Sequence, residues 1–145
     1  MKPCPGKYDY PEHTSDVYVQ AYGRSLEEAF ENTALGSTGV ITDVSRIRPK
    51  HAVEETVEAE DLQMLLYKWL AAILVRLDAE QMVFSVFNVK IERENGKYVL
   101  KAVMRGERFT PGWHASGTQV KAVTLHDMEI DESPSGARVK VLLDI

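Results

Sequence analysis

The chain is nearly devoid of cysteine. Cys4 is the single one in 145 residues, which excludes an internal disulfide and any cysteine-based metal motif. Long apolar runs are absent too: the most hydrophobic stretch, residues 59–77, is interrupted by Lys68 and Arg76 and falls short of the about 20 apolar residues that span a bilayer. The opening MKPCPGKYDYPEH has no apolar segment of the kind a signal peptide needs, so none is expected and a reducing cytoplasm is the natural compartment. Basic residues are outnumbered, with 17 Lys and Arg against 22 Asp and Glu and a formal charge of −5. A protein that grips a phosphate backbone shows the opposite balance, so no direct nucleic-acid binding is expected, whereas docking on a basic partner fits. Nor is there a phosphate loop, a zinc spacing or a nucleophile elbow. The histidines His13, His51, His114 and His126 share no ligand spacing.

What is present is an ordinary globular composition, 44% hydrophobic and 27% charged, at a length that fits one domain. Asp16–Tyr22 alternates, with Val17, Val19 and Ala21 on one face, and reads as a half-buried strand closed by Gly23. Ser25 and Glu28 form a capping-box pattern ahead of a helix carrying Leu26, Ala29, Phe30, Thr33 and Ala34. That helix is expected to weaken at Gly36 and Gly39. Residues 40–50 read as a connection, and Ala52–Glu58 as a strand. Ala59–Leu77 has the longest helical periodicity, with Leu62, Leu66, Trp69, Ile73 and Leu77 on one stripe, and is expected to be the core helix. Residues 82–92 and 98–105 are strands around Asn95-Gly96, the dipeptide that favours a tight hairpin turn. Thr110–Gly117 is a loop by composition. Residues 120–130 and 138–145 are two further strands. Segregated helices and antiparallel strands predict an α+β fold, with antiparallel-rich sheets packed on two helices.

Chemistry is sparse. Asp16 opens the first strand, and Asp144 ends the last, followed by Ile145 and its α-carboxylate. If those strand ends meet, three carboxylates converge, and such a cluster repels itself unless a hard cation sits among its oxygens. The alternative is that Asp16 caps a turn and Asp144 is a solvated terminal residue.

The segment EHTSDVYVQAYGRSLEEAFENTAL resembles the N-terminal signature of the archease family, and the likeness continues through GVITD, AEDLQMLLYKWL, MVFSVF, KAVTLHDMEI and the terminal L-D-I. This covers nearly the whole chain, in order. Glu12, Ser15 and Leu125 depart from the usual residues at their positions. The resemblance implies a single archease-like domain over residues 8–145 behind a loose arm, residues 1–7. It also implies a non-enzymatic activator of the GTP-dependent tRNA-splicing ligase, acting on guanylylation and multiple turnover, with a divalent cation (calcium or a similar hard metal) held by Asp16, Asp144 and Ile145. His13, Asp43, Lys121, Thr124 and His126 are candidates for supporting the metal ligands or touching the partner, with ordinary alternatives beside each: loop cap, Asx turn or hydrogen-bonded strand histidine. Trp113 is a candidate exposed interface aromatic. Two other functions stay open, a chaperone or modulator of other RNA-modifying enzymes and a small metal-assisted hydrolase.

Overall fold

This computed structural model describes residues 2–11 and 16–145. In chain order the elements are β1 (Tyr8–Asp9), β2 (Asp16–Gly23), α1 (Leu26–Ile41), a short 3-10 turn (Val44–Arg46), β3 (His51–Ala59), α2 (Leu62–Glu80), β4 (Met82–Glu94), β5 (Lys97–Arg108), β6 (Ala122–Ser133) and β7 (Gly136–Asp144). The strands form two antiparallel sheets, ordered β1-β2-β7-β6 and β3-β5-β4. Both helices touch both sheets, α1 against β2, β7 and β4, and α2 against β6, β3 and β5. The fold is α+β, as the pattern of elements predicts.

The deepest helix is not the most hydrophobic one. Ten of the sixteen residues of α1 are buried, against five of nineteen in α2. Small side chains make this work: Ala29, Thr33, Ala34 and Thr38 are at most 4% exposed, and a Cβ at Gly36 would sit 2.8 Å from Val19 Cγ1. Thr33 and Thr38 return their hydroxyl protons to the carbonyls of Ala29 and Ala34, so these polar groups cost little when buried. The helix therefore runs straight through Gly36 and Gly39, where the sequence suggests weakening. By contrast α2 leaves Val75 62% exposed and Leu77 only partly covered. It anchors through Trp69, which is fully buried, donates its indole N–H to the Phe30 carbonyl of α1 (3.1 Å) and meets Phe87 edge-on.

Local signals explain most boundaries. Ser25 caps α1 by accepting from Glu28 N, but Glu28 returns to Arg24 N (3.0 Å) and to the Arg24 guanidinium rather than to Ser25 N, so only half of the capping box forms. Asp61 caps α2 in the same way, accepting from Met64 N. Asn95 and Gly96 take φ of 53° and 78°, as a tight primed turn demands. A bulge between Phe84 and Val86 draws β4 so close to β5 that a Cβ on Gly106 would lie 1.9 Å from the Val83 carbonyl oxygen; only glycine fits there. Cys4 to Tyr8, expected within or beside a loose arm, form a hydrogen-bonded turn, and Lys7 O accepts from Tyr22 N.

The hairpin turns and the long connections lie at opposite ends, with the one-residue α2–β4 link, Gln81, on the long-loop side. The hairpin turns lie at one end, where a Cβ on Gly136 of the β6–β7 turn would sit 2.7 Å from Gly23 O. The long connections gather at the other. The loop of residues 109–121 bonds to the end of α1 (Gly117 N to Ile41 O, Thr118 N to Val40 O), to the end of α2 (Phe109 N to Gln81 O) and to Asp144 O (through Lys121 N). It is tied to residues 42–50 by Thr42 Oγ1 to Ala115 O and by Trp113 Nε1 to Arg46 O. Loops carry adaptable chemistry on a rigid frame, and this end holds them.

Candidate functional site

Pairing of β2 with β7 decides where the acidic residues go. Their register sets Asp16 opposite Asp144, and β6 adds Ala122 on the other side of Asp144. Strand alternation sends Val17, Val19 and Ala21 inward, all at most 6% exposed, so Asp16 and Asp144 share the outer face of the sheet at its loop-rich end. Both are half-buried, as is Ile145, which also packs on the core. The strand ends thus meet, as the sequence allows. Among the described residues no three Asp, Glu, His or Cys side chains converge; Ile145, the third residue of the expected set, directly follows Asp144. Paired carboxylate oxygens of this kind suit a hard cation and leave its remaining positions to other oxygens.

Two residues along this face, Tyr18 donates its phenolic proton to Asp127 Oδ2 (2.7 Å), and Lys140 Nζ lies 4.8 Å from the Tyr18 ring centre. That hydrogen bond, with burial and the nearby charges of Asp127, Asp16 and Glu129, raises the Tyr18 pKa; the same bond, aided by the positive charges of His126 and Lys140 and opposed by Glu129, lowers that of Asp127. The face beyond is knitted: Arg138 reaches Gln20, Glu129 and Asp131, while Lys140 pairs with Glu129.

The other sequence candidates separate. His13 lies outside the described residues. Asp43 makes the Asx turn, its Oδ1 accepting from Ser45 N (3.0 Å) and Ser45 Oγ (2.7 Å), bonds that hold its pKa down. Lys121 precedes β6 rather than lying on it. Thr124 donates to Leu142 O (3.0 Å). His126 does not share a strand face with Thr124, because the β6–β7 register breaks between Thr124 and Glu129. Four residues bulge out there, with Asp127 at φ 53°, leaving Leu125 49% exposed and His126 solvent-exposed beside Asp127 (3.3 Å). Nothing in KAVTLHDMEI announces a bulge, since its alternation reads straight through.

A second assembly, unforeseen in the sequence beyond Trp113, occupies the same end. Glu107 is 5% exposed and accepts from Arg48 N, Arg48 Nε and His114 Nε2, each at 2.9 Å. Burial alone would raise its pKa; those donors overcome this and hold it at about 2. His114, 2% exposed, accepts from Thr110 N on Nδ1 (2.8 Å), which fixes a neutral ring with its proton on Nε2. Trp113 is 39% exposed, with Arg46 3.9 Å and Arg48 4.5 Å from its ring centre. The seven-residue separation of Glu107 and His114 across a loop left no sequence signal.

No helix of the described residues is long and apolar enough to cross a membrane. Residues 8–145 match the model of the Archease protein family (MTH1598/TM1083). The chain is 44% identical over 130 residues to the archease of Pyrococcus furiosus, covering 90% of this chain and 92% of that one. It is 40% identical over 139 residues to that of Sulfurisphaera tokodaii, covering 96% and 99%. Among solved structures, Methanobacterium thermoautotrophicum protein 1598 superposes with a TM-score of 0.86 at 36% identity, over 97% of this chain and 99% of that one. An archease and possible chaperone from Thermotoga maritima shares the fold at a TM-score of 0.55 and 17% identity, over 93% and 94%. The chain belongs to the archease family.

Proposed function

We propose that this protein is a non-enzymatic activator of the GTP-dependent ligase that joins tRNA exons, promoting guanylylation of the ligase and its repeated turnover in the cytoplasm. The observation that carries this is the register placing Asp16 opposite Asp144, with Ile145 beside it, at the loop-rich end of an archease-family chain. Asp16, Asp144 and the Ile145 carboxylate would hold a divalent cation, calcium or a similar hard metal. Such an ion would neutralise their mutual repulsion and bring a Lewis-acidic charge to the partner's nucleotide pocket. The chain's own residues shape this end: Lys121 N holds the Asp144 carbonyl (2.8 Å), and the Tyr18–Asp127 bond pins the bulged β6 over β2. The formal charge of −5 complements a ligase that must be basic where it holds RNA and GTP.

The test is ligation turnover by the cognate ligase, with GTP and divalent metal, in the presence and absence of this protein. Conversion of a stalled ligase to multiple turnover supports the role. No change in turnover or guanylylation refutes it and directs attention to other RNA-modifying enzymes.

A further inference from the structure

The Arg46–Trp113–Arg48 assembly stands apart from the carboxylates and is built rather than incidental. The indole N–H of Trp113 is fixed on Arg46 O (2.9 Å), and Arg46 Nε points back at Trp113 O (3.4 Å). Arg48 is held from beneath by buried Glu107, itself held by buried His114. Two guanidinium groups and one indole are thereby locked together on the surface, and Arg48 is largely neutralised by Glu107. Among the described residues no acceptor is bonded to Nη1 or Nη2 of Arg46, and Arg46 is exposed. Arg105 lies two residues from Glu107 on the same face of β5, exposed and without an ion pair among the described residues. A chain with net charge −5 thus presents a preorganised cationic and aromatic surface at the end that carries Asp16 and Asp144.

We propose that this guanidinium–indole plate grips an acidic segment of the partner protein and so fixes the orientation in which the carboxylate end docks. The proposal deepens the activator role and rests on it. An acidic protein segment fits better than RNA. The net negative chain repels a long polyanionic strand, and one guanidinium whose terminal nitrogens have no acceptor among the described residues, set on a rigid aromatic, suits a bidentate carboxylate contact. Trp and Arg are also the residues that dominate protein interfaces. Opposite charges at two points of one end give a docking register that a single acidic tip cannot.

The experiment is surface plasmon resonance against RNA-free ligase with wild type, Arg46→Glu, Trp113→Ala and, as a control at the opposite end, Lys97→Glu. Circular dichroism melts identify any variant that fails to fold, and Arg46→Glu, altering an exposed side chain, keeps the test decisive if Trp113→Ala does not fold. Arg46→Glu is expected to weaken binding at least tenfold and Lys97→Glu to leave it unchanged. Unchanged binding by Arg46→Glu, with the wild type bound and stimulating the ligase, overturns the plate alone. A wild type that does not bind overturns the plate and the activator role together. If a single-stranded RNA decamer binds the wild type and Arg46→Glu abolishes only that binding, the plate is an RNA contact and the proposal fails.

Discussion

Glu107 shows how one buried charge can organise a surface. Its carboxylate meets three donors from Arg48 and His114, and through Arg48 it sets the stack on Trp113. Its ordinary pKa is 4.5 and its folded value about 2, so the folded state prefers the carboxylate. Its stabilisation is therefore complete above about 4.5 and is lost as pH falls towards about 2. Glu107→Gln, which keeps the shape but not the charge, should destabilise the protein by about 1–3 kcal/mol at neutral pH. It should also reduce the stability lost across that acid window. Urea melts of both proteins at neutral and acid pH measure this; parallel pH curves would show that the carboxylate is not the group concerned.

Between the helices, burial follows fit more than hydrophobicity. Because α1 is wedged between the sheets by Ala29, Thr33, Ala34 and Gly36, an added side chain has nowhere to go. Ala34→Leu should cost about 1–3 kcal/mol by overpacking, while Val75→Ala on the exposed face of α2 should stay within about 0.5 kcal/mol. Thermal melts compare the two, and the reverse order would mean that α2 is the true centre. Strands β2 to β7, the Asn95-Gly96 hairpin and the Ser25 cap could be read in the sequence because alternation, the Asn-Gly dipeptide and the capping pattern are local signals; the start of α2 could not, since the helical pattern runs back to Ala59, whereas β3 continues through Ala59 and Asp61 caps the helix from outside. The depth of α1 could not, since small residues mark close packing only once the neighbours are known. The bulge after Thr124 escaped for the related reason that its cause is the partner strand. Asp16 and Asp144 were visible as strand ends, but their pairing depends on a β2–β7 register spanning the whole chain.

Across the molecule, hairpin turns at one end and the long connections at the other make the protein directional, with the carboxylates, the bulged β6 and the Trp113 plate sharing the loop-rich end. If the Ile145 carboxylate is a ligand, extending the chain beyond Ile145 by even a short tag should impair ligase activation while leaving the melting temperature unchanged; equal activation by tagged and untagged protein would remove it from the site. The most direct measurement is multiple-turnover ligation by the cognate ligase with wild type, Asp16→Ala and Asp144→Ala, each confirmed as folded. The account predicts that the wild type sustains turnover and that either substitution abolishes the effect. Full activation by both variants would contradict it, because the paired strand ends would then have no part in the function.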